Sequence, residues 1–317
     1  MKGLKFGVAK PTQPVRATSV TTSLTLLSSV TTYNFQTSGL SFGNTLYIYA
    51  AKLTSFTNLP ASVIVLQLGG CPALVTLANI PSTVTALITP PNITSLAGIP
   101  ASVTALYLTA STKLTSANLT GCTGLESVPA LPATCTSLNL TGCTGLSTTL
   151  VIAGSGLTTI SGLPAGTFDL DLTGCTALTT LSTLPTGLTR LVVNGTKITS
   201  LNLTENTGLT SVPTLPATCT SLNLTGCSAL SATLVIAGSG LTTISGLPAG
   251  TLDLDLTGCT GLTSVPTLPG TCTYLNLTGC TKIKSIKADP TQLITLAATG
   301  SGIVVPSVLA VPSTWTF

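Results

Sequence analysis

ATCTSLNLTGCTGLSTTLVIAGSGLTTISGLPAGTFDLDLTGC, residues 133–175, returns at residues 217–259 with only a few substitutions. The shift from Ala133 to Ala217 equals four units of about 21 residues each. Within the stretch a shorter phrase recurs, L-x-L-x-x-C-x-x-L, seen as Leu138, Leu140, Cys143 and Leu146. A period of about 20 to 21 residues is the mark of a solenoid, in which each repeat buries its apolar side only by stacking on its neighbours. Outward from this stretch, the 317 residues read as one elongated repeat domain rather than two ordinary globules.

The segment 125–146, LESVPALPATCTSLNLTGCTGL, shows how one coil is made. Ser137-Leu138-Asn139-Leu140 reads as a short strand, with Leu138 and Leu140 facing inward and Asn139 outward because strand side chains alternate. Thr141-Gly142 turns the chain, and Cys143 and Leu146 drop back inside. Val128-Pro129-Ala130-Leu131-Pro132 returns over the other side. Its prolines favour extended backbone and disfavour a helix. The same register predicts strands at 46–48, 66–68, 106–108, 170–172, 191–193, 201–203, 222–224, 254–256 and 275–277. Some neighbours stand only about half a period apart, as Leu140 does from Ile152 and Val193 from Leu203. These predict very short returns or hairpin-like turns.

Residues 1–45 lack the phrase but hold β-prone runs, and form an N-terminal arm and β-rich cap or anchor. Residues 46–285 form the solenoid, and 286–317 a C-terminal cap or tail, since a solenoid needs atypical ends to cover its open core. Trp315 and Phe317 read as cap packing, with an exposed anchor for a partner as the alternative.

Only 6% of residues are charged, about a quarter of the usual share, and mean hydropathy is +0.63. Even so, Thr, Ser, Pro or Gly interrupts every apolar run, so no stretch reaches the roughly 18 to 20 residues of a spanning helix. The net charge of +4 is too small to argue for nucleic acid. Lys2, Lys5, Lys10 and Arg16 form a basic arm able to anchor on a protein neighbour. The N-terminus lacks the apolar core of a signal peptide, which predicts cytoplasmic synthesis without a leader.

The coil phrase resembles the leucine-rich repeat family. Its hallmark L-x-x-L-x-L-x-x-N/C-x-L is matched by Cys135, Leu138, Leu140 and Cys143, with the first position varied. Val128-Pro129-Ala130-Leu131-Pro132 looks like the return of the short bacterial repeat class. The resemblance covers about residues 45–285. It implies a β-rich solenoid with a parallel concave sheet, irregular convex returns and little or no helix, whose concave face usually binds a partner. The half-length coils and the scarcity of charge depart from that pattern. No appended enzymatic domain, such as the ligase domain of some bacterial effectors, has room.

All ten cysteines follow the repeat register. Cys122, Cys143, Cys175, Cys227, Cys259 and Cys280 take the turn position, and Cys71 follows the related LQLGG. Cys135, Cys219 and Cys272 take a second fixed position, ahead of the turn cysteines Cys143, Cys227 and Cys280. They read as buried, reduced thiols, with disulfides as the alternative. Zinc is disfavoured because the close C-x2–4-C pairs are missing.

The chain has no histidine, which removes Ser-His-Asp and Cys-His mechanisms. Asp169/Asp171 and Asp253/Asp255 lie in D-L-D-L strands, so each pair faces one way. They are weak Ca2+ candidates, with solvated or Thr-paired acids as the plainer reading. The outward column of Tyr47, Gln67, Tyr107, Asn139, Asn202, Asn223 and Asn276 is a neutral hydrogen-bonding surface, joined by the acids Asp171 and Asp255, and suited to a protein or a glycan, or to a self-stabilising amide ladder. The N-x-T triplets read as repeat grammar rather than glycosylation. GSGL at 154–157 and 238–241 is a turn rather than a phosphate loop. No cofactor is implied.

Together these features predict a non-enzymatic structural or surface interaction protein displayed on a larger assembly. A virion is the leading example, as a phage capsid decoration, fibre or tail component. The alternative is a bacterial exported or cell-surface recognition module that binds host protein or glycan through its concave face.

Overall fold

The computed structural model describes residues 4–6, 21–38, 40–108, 111–154, 156–181, 183–236, 240–286, 293–303 and 315–316. The chain forms two compact units, Met1–Pro164 and Ala165–Phe317. Among the described residues there is no helix. The frequent Pro and Gly, together with the β-branched Thr, Val and Ile of the strands, make this the expected outcome.

The first unit contains β1 (Leu4–Phe6), β2 (Thr21–Leu26), β3 (Thr32–Asn34), β4 (Phe42–Tyr49), β5 (Ser55–Thr57) and β6 (Val65–Gly70). It continues with β7 (Ala86–Ile88), β8 (Ala105–Tyr107), β9 (Ser116–Asn118), β10 (Ser137–Asn139), β11 (Thr149–Val151) and β12 (Thr159–Ser161). Strands β1, β2, β4, β6, β7 and β8 lie side by side in one sheet, all parallel. Leu46, Leu66, Leu87 and Leu106 share one register row beneath it and all are buried. Burying one such side chain fully contributes about 1.5–3 kcal/mol. Two further parallel groups belong to this unit, β3 with β5 and β9 with β10 and β12.

The second unit contains β13 (Asp169–Asp171), β14 (Thr180–Leu181), β15 (Arg190–Val192), β16 (Ser200–Asn202), β17 (Ser221–Asn223) and β18 (Thr233–Val235). After these come β19 (Thr243–Ser245), β20 (Asp253–Asp255), β21 (Tyr274–Asn276), β22 (Thr295–Ala297) and β23 (Trp315–Thr316). Its parallel groups are β13 with β15, β16 with β17 and β19, and β18 with β20, β21, β22 and β23.

These pairings correct the reading of the half-length coils. Strand β15 begins about half a coil before β16, yet the two do not pair with each other. Arg190 is in register with Asp169 and Ser200 with Ser221, in each case one full repeat away. In the first unit β10 passes over β11 and pairs with β12, Ser137 against Thr159. The turn therefore keeps its full length, and the closely spaced strands sit on two different sides of it. No short return or hairpin is needed. Most predicted strands also end one residue early. Leu140, Leu203 and Leu224 follow the strand rather than close it, and remain fully buried.

The start of the chain joins the sheet directly. Leu24 of β2 is buried opposite Ile48. Phe35 meets Tyr33, Phe42 and Phe56 edge to face at centroid distances of 4.9, 5.2 and 6.1 Å. Such contacts add about 0.5–1.5 kcal/mol each beyond burial. Of the basic arm, Lys2, Lys10 and Arg16 lie outside the described residues, as does the side chain of Lys5 in β1. The Trp315 side chain and Phe317 also lie outside them.

Candidate functional site

The outward side chains of the first unit's large sheet form rows across successive strands. Tyr47, Gln67, Ile88 and Tyr107 stand in one register row. Three of these were predicted from sequence. Ile88 was missed because its strand lacks the second leucine of the phrase. Tyr107 is 51% exposed. Beside that row Tyr49 pairs with Thr25 and Gly70 and is 48% exposed. A side chain on Gly70 would bring a Cβ within 2.6 Å of Tyr49 Cδ1 and 2.9 Å of the Ile48 carbonyl. Glycine there lets the Tyr49 ring lie against the neighbouring strand. A shallow cleft of about 360 Å³ opens alongside, lined in part by Thr25, Ser28, Tyr49, Gly70 and Pro72.

The other predicted column members are divided. Asn139 lies on β10 in the first unit, in register with Asn118 and Ser161. In the second unit Asn202 and Asn223 share one sheet with Ser245. Asp255 and Asn276 share a different one with Val235 and Ala297. Asp171 stands beside Val192.

These Asn and Asp side chains have a local partner. Asn139 Oδ1 accepts hydrogen bonds from the Thr141 amide at 3.0 Å and its hydroxyl at 2.6 Å. The same arrangement holds for Asn223 with Thr225, Asn202 with Thr204 and Asp255 with Thr257. Asn276 accepts from the Thr278 amide. The N-x-T triplet is thus a side-chain-capped turn that ends the strand. The amide nitrogen stays available for other bonds, and in Asn223 it donates to Thr204 Oγ1.

Among the acids, Asp169 pairs with Arg190 at 2.9 Å on the surface. Asp171 accepts from the Thr173 amide at 2.8 Å. The hydroxyl and amide of Thr173 hold its carboxyl below the usual range, with Arg190 nearby adding to this. Asp253 Oδ2 accepts from Thr233 Oγ1 at 3.2 Å. Among the described residues no group of three or more His, Cys, Asp or Glu converges in a way that could hold a metal ion.

The cysteines are all buried and unbridged. Turn thiols donate to a carbonyl of the preceding turn: Cys143 to Leu119, Cys227 to Leu203 and Cys280 to Leu256, at 3.0–3.1 Å. Cys135, Cys219 and Cys272 instead donate to the carbonyl two residues on. Burial pushes the thiols of Cys71, Cys122 and Cys280 up to about 11. Thiols so held are poor nucleophiles at neutral pH. Cys227 also lines a hollow of about 420 Å³ with Thr225, Ser228 and Gly246, where burial again raises its pKa.

Short parallel strands, two leucines pointing in, and a turn thiol bonded to the coil before it define the architecture. Each unit has the leucine-rich-repeat fold. No family model matches the chain and no curated protein matches it. Among solved structures, the chain is similar to a leucine-rich repeat protein from Bacteroides ovatus ATCC 8483. The identity is 18% over 88% of this chain and 76% of that one, with a TM-score of 0.37. It is also similar to YopM from Yersinia enterocolitica WA-314, at 19% identity over 80% of this chain but only 58% of YopM, TM-score 0.25. A leucine-rich cell surface protein from Faecalibacterium prausnitzii A2-165 shows 13% identity over 84% and 79%, TM-score 0.22. The fold assignment rests on this chain's own repeat and register. No described helix is long and apolar enough to cross a membrane.

Proposed function

We propose that this chain is a non-enzymatic interaction module, displayed at a surface, that engages its partner through the outward face of the sheet containing β4, β6, β7 and β8. The observation that carries the reading is the register row Tyr47–Gln67–Ile88–Tyr107. Exposed tyrosines on a rigid sheet supply contact area at little conformational cost. The non-enzymatic part is supported by the absence of histidine, the local bonds of Asp171 and Asp255 and the buried, bonded turn thiols.

Display on a virion, with a phage capsid decoration as the example, is the finer form of the reading. What supports it is the uncharged Ser/Thr surface and the basic arm Lys2, Lys5, Lys10 and Arg16. An exported or cell-surface recognition module is the alternative setting. Tyrosine footprinting on native source material, compared with the purified chain, tests the engaged face. Protection of Tyr47 and Tyr107 in native particles supports the reading. Equal labelling of both in the two samples, or a chain found only as a free monomer, overturns it.

A further inference from the structure

We propose that the tyrosine-bearing face of the first unit is a binding site for an uncharged oligosaccharide. The inference rests on the interaction reading above and names the ligand class of that same face.

Three of the chain's five tyrosines, Tyr47, Tyr49 and Tyr107, stand outward on this one sheet. Adjacent strands are about 4.8 Å apart, so the row from Tyr47 to Tyr107 spans about 14 Å. Tyr49 lies one outward step further along β4, about 7 Å from Tyr47. The face is therefore a line with a side branch, the shape of a short chain of linked rings rather than of a single small molecule. The cleft at Tyr49, about 360 Å³, falls at the low end of ligand-site volumes. It has an aromatic wall, a glycine floor and two hydroxyls, Thr25 and Ser28. Aromatic rings offer a flat apolar surface with a polar tip, which matches the CH face and hydroxyl edge of a sugar ring. Gln67 between the tyrosines brings both a donor and an acceptor.

Charge selects among ligands. The outward neighbours Ser23, Thr45, Val65 and Ala105 flanking the row from Tyr47 to Tyr107 are all uncharged; Lys5 of β1, in register with Thr25, lies at the edge of the sheet, two strands from Tyr49. Along that row an anionic glycan or a charged protein surface finds no counter-charge among the described residues and gains no electrostatic steering from it. A neutral ligand loses nothing by that absence. The small residues Ala86 and Ala105 beside the row leave the tyrosines standing above their surroundings, which suits a ligand lying along the row.

The test uses the intact chain on an array carrying neutral, sialylated and sulfated glycans, followed by titration of the strongest neutral oligosaccharide. The expected result is binding to neutral glycans that barely changes from low to high salt. Tyr49→Ala and Tyr107→Ala each weaken it roughly tenfold or more. Tyr107→Phe keeps the ring and most of the affinity, and Tyr274→Ala in the other unit changes nothing. Circular dichroism of each variant confirms that it folds. Binding only to charged glycans, no glycan binding, or affinity unmoved by Tyr49→Ala and Tyr107→Ala overturns the proposal. If Tyr47 and Tyr107 are still protected on native particles while no glycan binds, the ligand class is wrong and the interaction reading stands. If neither is seen, both fall.

Discussion

Asn139 looks like a recognition residue, yet its acceptor oxygen already closes a turn through two bonds from Thr141. Asn139→Ala removes both and is expected to lower stability by about 1–2 kcal/mol, read as a lower urea midpoint. Asn139→Asp leaves the midpoint nearly unchanged, because Asp255 makes the same bonds to Thr257. Asp171 adds a pH-dependent form of this device. Its folded pKa is depressed, so its contribution is present above the unfolded value of about 3.9 and is lost as pH falls through the folded value. The melting temperatures of the wild type and Asp171→Asn therefore converge in acid. One repeat breaks the grammar. Thr204-Glu205-Asn206 stands where the equivalent coil of the earlier copy has Thr120-Gly121-Cys122. Glu205 has φ of 61°, where Gly121 has 76°, and Asn206 Oδ1 is buried without a partner. A side chain in this left-handed region costs about 1–2 kcal/mol, and an unpaired buried acceptor about 1–3 kcal/mol. The double change Glu205→Gly with Asn206→Cys is expected to raise the urea midpoint.

At the scale of elements, three-residue strands are too short to hold a sheet alone. They are held by the turn that follows each one and by the coil stacked beside it. Gly162 follows β12 with φ of 68°, and a Cβ there would run into the Thr141 backbone. Gly162→Ala is expected to destabilise by more than about 1 kcal/mol. Gly166, a few residues on, has open space where a Cβ would go, and Gly166→Ala is expected within about 0.5 kcal/mol of wild type. Paired denaturation curves check both. An equal loss at the two sites would show that stacking tightness, rather than the turn, has been misread.

At the scale of the whole molecule, the low charge governs behaviour in solution. With no histidine and 6% charged residues, the chain lacks the side chain that ordinarily changes charge between about pH 5 and 8. The melting temperature is expected to stay within about 2 °C over that range, and to respond little to salt. A shift of more than about 5 °C would point to a titrating cluster that the described residues do not contain. The ten cysteines are buried and several have raised pKa values. A thiol reagent at neutral pH is therefore expected to label none of them in the native chain and all ten after denaturation.

The sequence by itself determined the repeat, the inward leucines, the turn cysteines and the scarcity of helix. Each of these is written within a single coil, where alternation, proline and the size of a side chain act locally. It also pointed to Tyr47, Gln67 and Tyr107 as outward residues. Only the tertiary structure decided which strands share a sheet. Ser200 could pair with Arg190, half a coil away, or with Ser221, a full coil away, and the choice depends on how the chain closes a full turn. That closure is set by packing across the coil. The same pairing split Asn223 from Asn276 and Asp255, inserted Ile88 between Gln67 and Tyr107, and brought Gly70 beside Tyr49. Neighbours across a parallel sheet are chosen by the register of separate coils, and no single coil contains that information.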